Sequence, residues 1–201
     1  MYDRLSVFST DSAWNTILNL TGTDNSSAVL DQVYIKTFSN GTIDSFNLYF
    51  YGQNGTQNKW YRIEGGCGRS LDWDSANISD SPEGVHPLTL LNEIGRIHEI
   101  GRIPYDRLAC KDKGIVISVD SQSGNMEYDS AYERIFLVDE GNLTPVKKVI
   151  FHTAEPVYVI SVCCRYNSSS PERSEILPDI ENSCIALFTN TDLGKAEVVE
   201  Y

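Results

Sequence analysis

VLDQVYIKTFSNGTIDSFNLYFYGQNGTQNKWYRIE, residues 29–64, decides the fold class. Val29 to Phe38 is rich in β-branched and aromatic residues, which suit a pleated surface. Ser39-Asn40-Gly41 supplies a hairpin turn. Ile43 to Tyr51 then alternates, setting Phe46, Leu48 and Phe50 on one face and Asn47, Tyr49 and Tyr51 on the other. A second turn, Gly52-Gln53-Asn54-Gly55, leads into a third strand over Lys59–Glu64. The stretch predicts an antiparallel meander with one apolar face.

Upstream, Ser9, Thr10 and Asp11 are N-cap residue types, and Ala13, Trp14, Ile17 and Leu18 make a helical stripe that ends by Thr21-Gly22. Downstream, Gly65, Gly66, Gly68, Pro82, Gly84 and Pro87 predict irregular structure over residues 65–87. A second helix is expected from Pro87, with Leu88, Leu91 and Ile94 on its apolar side, ending before Pro104. The rest reads as strands: Gly114–Asp120, Tyr132–Asp139, Val146–Thr153, Val157–Arg165, Cys184–Thr189 and Ala196–Val199. Glu140-Gly141-Asn142 and Ala154-Glu155-Pro156 read as short connections between antiparallel neighbours, and Tyr166 to Asp179 as a long exposed loop.

The expected class is therefore α+β, a mainly antiparallel sheet with two helices. At 201 residues it makes a single compact domain, 1–201, which could divide into two helix-plus-meander lobes, 1–66 and 84–201. This order of a helix, three strands, a helix and more strands is similar to that of small extracytoplasmic modules such as PepSY domains, a likeness of arrangement without shared motifs.

Composition excludes some partners. A net charge of −12, from 16 basic and 28 acidic residues, leaves little from which to build a phosphate-binding face, so no nucleic-acid partner is expected. No apolar run is long enough for a transmembrane segment. Met1-Tyr2-Asp3-Arg4-Leu5-Ser6 has no apolar core and does not read as a signal peptide.

Seven N-x-Ser/Thr sequons point the other way, toward export. With 14 asparagines and Ser plus Thr near a sixth of the chain, chance gives roughly two. Asn19, Asn25, Asn40, Asn54, Asn77 and Asn167 are the glycosylation candidates; Asn142 is a poor acceptor because Pro145 follows its Thr144. The expected location is extracytoplasmic or secreted, with the cytoplasm as the alternative. The five cysteines show no paired C-x-x-C spacing, so zinc lacks its usual cue and no metal or other cofactor is expected. Cys110, Cys163, Cys164 and Cys184 are disulfide candidates. Cys163 and Cys164 are strand neighbours and must face opposite ways. Five reduced, buried thiols are the other reading.

Several local patterns invite chemistry. EIGRI occurs at Glu93–Ile97 and again at Glu99–Ile103, enclosing His98-Glu99, but the zincin motif needs a second His four positions on and finds Arg102. Cys67, in Gly65-Gly66-Cys67-Gly68-Arg69, could be a nucleophile if His86, His98 or His152 served as its base. Asp72-Trp73-Asp74 resembles the start of a calcium loop, yet Ala76 and Asn77 stand where an acid or amide and a glycine belong. Tyr49 and Tyr51, with Trp60 or else Tyr61 from the neighbouring strand, are the ligand-binding candidates, Trp60 being preferred, as aromatic groups on the solvated side of the meander. A second layer over that face would make them core instead. The sequence points first to a non-enzymatic extracytoplasmic or surface-associated domain that binds a protein, glycan or small ligand. The alternative is an intracellular enzyme or regulatory protein acting through Cys67.

Overall fold

A computed structural model describes residues 11–38, 43–89, 115–132, 134–139, 142–164, 184–189 and 196–201. Helix α1 spans Asp11–Thr21 and a single 3-10 turn Asn25–Ser27. The strands are β1 Val29–Thr37, β2 Ile43–Asn54, β3 Gln57–Gly66, β4 Arg69–Asn77, β5 Ile115–Asp129, β6 Arg134–Asp139, β7 Asn142–Val146, β8 Lys148–Cys164, β9 Cys184–Thr189 and β10 Ala196–Val199. They form one ten-stranded sheet in the order β4-β3-β2-β1-β5-β8-β9-β6-β7, with β10 added to β8. Every neighbouring pair is antiparallel except β6 and β9.

This corrects the expected class. Strand makes up 68% of the structure and helix 12%, so the protein is mainly β rather than α+β. Of the second predicted helix, only residues 87–89 are described and helical; the remainder, with both EIGRI units and His98, lies outside the described residues. The stretch read as irregular contains the end of β3 and all of β4. Gly65, Gly66 and Gly68 serve a hairpin rather than a loop: Gly68 has φ +69° in the β3–β4 turn, and a Cβ on Gly66 would sit 2.4 Å from the Asp44 carbonyl oxygen. With a fourth strand in the first meander, the likeness to helix-plus-meander modules does not extend to this fold.

The largest departure is β8. Val146–Thr153 and Val157–Arg165 were expected as two strands folded back at Ala154-Glu155-Pro156. Instead Lys148–Cys164 is one strand of 17 residues. Between Gln122↔Val157 and Gly124↔Thr153 the register advances two residues on β5 and four on β8, a bulge that absorbs Ala154-Glu155-Pro156. Proline is tolerated there because a bulge interrupts the ladder it cannot donate to.

Two apolar clusters meet at this strand. The first joins Trp14 and Ile17 of α1 to Leu30, Val33 and Ile35, to Leu48 and Phe50, and to Tyr61 and Ile63. The second lies on the other side, around Val149, Phe151, Val157, Val159 and Phe188. On β8, Tyr158, Ile160 and Val162 face the first cluster while Val157 and Val159 face the second; on β9, Ile185 and Leu187 oppose Ala186 and Phe188 in the same way. Burial on both faces requires an unbroken apolar run, whereas β1 to β3, buried on one face, alternate.

A strap before residue 87 closes the core. β5 pairs with β1 only from Gln32 onward, so the backbone of Leu30 needs partners from elsewhere. Its N–H donates to the Val85 carbonyl at 2.8 Å, and its carbonyl accepts the Tyr158 hydroxyl at 2.8 Å. That hydroxyl also accepts the Val85 N–H at 3.1 Å. Gly84 lets the strap come this close, since a Cβ there would meet the Tyr158 oxygen at 2.3 Å. The buried Tyr61 hydroxyl, by contrast, has no hydrogen-bond partner among the described residues. Tyr158→Phe should therefore cost about 1–3 kcal/mol, by orphaning buried backbone groups, while Tyr61→Phe should be neutral or slightly stabilising. Denaturant unfolding of the two variants checks the contrast.

Candidate functional site

The side of β1–β3 away from α1 carries a continuous half-exposed face. Because Phe46, Leu48 and Phe50 point into the core, Asn47, Tyr49 and Tyr51 point out, and Trp60, Arg62 and Glu64 of β3 pair directly with them. Tyr34 and Lys36 continue the face on β1, with the Lys36 ammonium 5.5 Å from the Tyr34 ring centroid. None of these residues is buried, and among the described residues no second layer covers them. The structure thus brings together Tyr49, Tyr51 and Trp60, and leaves them half-exposed.

Asp31 organises the group. The β1–β2 register skips it between Leu30↔Phe50 and Gln32↔Tyr49, making it the extra residue of a bulge. Its carboxylate accepts the Trp60 indole N–H at 2.9 Å and a hydrogen bond from the Tyr51 hydroxyl. Trp60 stacks on Tyr49 with ring centroids 5.5 Å apart and planes 22° from parallel, a contact worth about 0.5–1.5 kcal/mol beyond its area. Gln32 donates to Asp120 of β5 beside them. Arg62 and Glu64 stand 3.7 Å apart and are about two-fifths exposed (39% and 41%), so this ion pair adds little stability and stays available to a ligand.

The sequence reading found the three aromatic residues and missed Asp31. A signal was there: the buried positions Leu30, Val33 and Ile35 are spaced three and then two apart, and such a slip in a period of two marks a bulge.

The other candidates separate in space. Cys67 is a free, exposed thiol in the β3–β4 turn, its N–H bonded to the Asp44 carbonyl. His86 is engaged elsewhere: Nε2 lies 3.0 Å from the Asn25 carbonyl and Nδ1 accepts the Leu88 N–H. His152 lies beside Asn125, 3.4 Å from its side-chain oxygen. Neither described histidine is placed as a base for Cys67. Asp72 and Asp74, read as resembling the start of a calcium loop, lie instead on β4, where each carboxylate accepts the N–H of the next residue, Trp73 or Ser75. Among the described residues no cluster of three or more acidic, His or Cys groups could hold a metal ion, and no helix is long and apolar enough to cross a membrane.

Cys163 is disulfide-bonded and stands opposite Cys184 in the β8–β9 register. Cys110, Asn40 and Asn167 lie outside the described residues. Asn19, Asn25, Asn54 and Asn77 are all exposed.

A family model described as an archaeal family matches residues 11–201. The chain belongs to that archaeal family. It is similar to an uncharacterized protein of Archaeoglobus fulgidus, 24% identical over 192 residues, a match that covers 94% of this chain and 77% of the relative. No solved structure matches it.

In this member of the archaeal family the acid–aromatic cluster has a measurable signature. Burial pushes the Tyr51 phenol above its ordinary value of 10.0, and the charge of Asp31 and its hydrogen bond push it further. A tyrosine raised in this way contributes stability that is complete below its unfolded value and is lost as the pH rises through its folded value. Asp31→Asn should move Tyr51 ionisation to lower pH and narrow that window. Alkaline ultraviolet titration, with Tyr51→Phe identifying the signal, checks the shift.

Proposed function

We propose that this chain is a non-enzymatic, extracytoplasmic or surface-associated binding domain, and that its outer sheet face recognises a basic segment of a protein partner. The Tyr49–Trp60 pair, held by Asp31 on a sheet face that no described element covers, carries this reading. Rigid aromatic groups with a fixed polar edge bring large contact area at a small loss of conformational entropy.

The charge on the same face favours a cationic ligand. Asp31, Glu64 and Asp120 lie among the aromatic rings, and the register adds Asp72 and Asp74 opposite Glu64 and Arg62. Lys36 and Arg62 are the basic residues among them. The Lys36 ammonium, 5.5 Å from the Tyr34 ring centroid, supports this reading, since an incoming ammonium would sit on a ring in the same way. A net charge of −12 would speed the approach of such a partner.

A glycan is the second reading, favoured by the stacked Tyr49 and Trp60 rings with amide and carboxylate groups around them. Salt separates the two, since attraction to a basic segment weakens as ionic strength rises and ring stacking on a sugar changes little.

Arrays of Lys/Arg-rich peptides and of glycans, followed by titration of the hits at low and high salt, test the proposal. Trp60→Ala and Tyr49→Ala should each weaken binding by about tenfold or more, with the fold intact by circular dichroism. Hits that both variants bind as tightly as the parent would place the binding surface elsewhere and sink this reading.

A further inference from the structure

We infer that Asn77 is an N-glycosylation site of the folded protein, and that Asn19, Asn25 and Asn54 are not used. The inference rests on the extracytoplasmic part of the proposed function and is independent of what the aromatic face binds.

The four sequon asparagines span much of the amino-terminal half yet gather at one end of the sheet, around the β2–β3 hairpin. Asn54 pairs with Gln57 at its tip. The Asp24 N–H, next to Asn25, donates to the Gln53 carbonyl at 2.8 Å. Asn77 pairs with Lys59 of β3, and the Ile78 N–H donates to the Asn58 carbonyl at 3.0 Å. Asn19 lies in the last turn of α1, whose Thr21 carbonyl accepts the Asn54 amide. All four belong to the α1 side of the sheet, and the aromatic face opposite carries none.

A sequon is used when the asparagine amide nitrogen and the hydroxyl two residues later are both free to enter a transferase. In the first sequon, Asn19 is helical and the Thr21 hydroxyl is buried, donating to the Ile17 carbonyl at 2.9 Å with Thr23 2.8 Å away. In the second, the Asn25 side-chain oxygen accepts the Trp14 indole N–H at 2.6 Å, and the Ser27 hydroxyl bonds both the Asp24 carbonyl and the Gln53 N–H at 2.7 Å. The Asn54 amide nitrogen is held 3.1 Å from the Thr21 carbonyl.

Asn77 differs. It is the exposed last residue of the outermost strand, and among the described residues its amide and the Ser79 hydroxyl have no partner, Ser79 using only its carbonyl to accept from Asn58. By strand alternation it shares its face with Leu71 and Trp73, left 39% and 40% exposed. An attached sugar would lie beside this apolar pair.

The donor is an oligosaccharide activated as a lipid phosphate, and the catalyst a separate transferase. The Asn77 amide nitrogen attacks the anomeric carbon, a nitrogen–carbon bond forms, the carbon–oxygen bond to phosphate breaks, the lipid phosphate leaves and the amide gives up one proton.

The test is glycopeptide mass spectrometry on protein purified from its native host, with the cell fractionated and Asn77→Gln as the control. Sugar mass on Asn77, absent from the variant, with Asn19, Asn25 and Asn54 bare, is the expected result. A bare Asn77 on protein found outside the cytoplasm overturns the inference and leaves the proposed location intact. Unmodified protein confined to the cytoplasm overturns both. Sugar on all four asparagines means modification before folding, and overturns selection by the folded structure.

Discussion

Everything in this fold depends on burying strand β8 on both faces. A strand with apolar side chains above and below has no water for its backbone, so every N–H and carbonyl must be paired in the plane of the sheet. β5 supplies one edge along almost the whole length, and β10 and β9 divide the other, at residues 148–151 and 160–163. The bulge at residues 154–156 lies between those two attachments. One long strand can thus belong to two packing environments, and the tyrosine nearest the bulge on the α1 side, Tyr158, is the one that anchors the strap.

The same demand explains why the amino-terminal meander is left half open. α1 covers one face of β1–β3, and its Trp14 meets Phe50 edge to face at 5.3 Å. Among the described residues no equivalent element lies over the other face. That leaves room for a surface on which aromatic groups are held by neighbouring strands rather than by a layer above. Asp31 can organise that surface because a bulge costs one ladder position and returns a side chain aimed at two neighbours. The outer strands carry features that oppose pairing with another chain: Asp72 and Asp74 occupy N–H groups of β4, and β7 carries Pro145. These are recognised ways of blunting a sheet edge, and they are consistent with the proposed recognition through the sheet face.

Much of this was legible in the chain. The alternation of Phe46, Leu48 and Phe50 against Tyr49 and Tyr51 placed β2 and its two faces, and the cap residues and stripe placed α1. Cys184–Thr189 and Ala196–Val199 were read with the bounds they have. The failures share a cause: glycine and proline were taken as punctuation. Gly65 and Gly66 are instead small because Phe46 and the Asp44 carbonyl press against them, and Pro156 lies within a strand because a bulge excuses its missing N–H. β4 escaped notice because it is an outer strand, exposed nearly throughout, so no apolar period betrays it. The mainly-β class follows from these corrections, since both converted segments had been counted as breaks.

The candidate site was legible by composition and illegible by geometry. Tyr49 and Tyr51 on one face can be read from parity alone; the choice of Trp60 over Tyr61 depends on the β2–β3 register, and the carboxylate between them on which strand lies beside β2 and on a one-residue slip in their pairing. The same limit applies to the sequons. Their number is a property of the chain, but whether an amide or a hydroxyl is free depends on contacts between α1, the β2–β3 tip and the 3-10 turn. Parity also explains how the two features coexist. Gly52 and Asn54 follow Phe50 on the α1 side of β2, while Tyr51 takes the other, and on the outer strand Trp73 and Asn77 share the side opposite Asp72 and Asp74. Strand alternation in a single sheet with a helix on one face therefore sets the proposed glycosylation side opposite the proposed binding side.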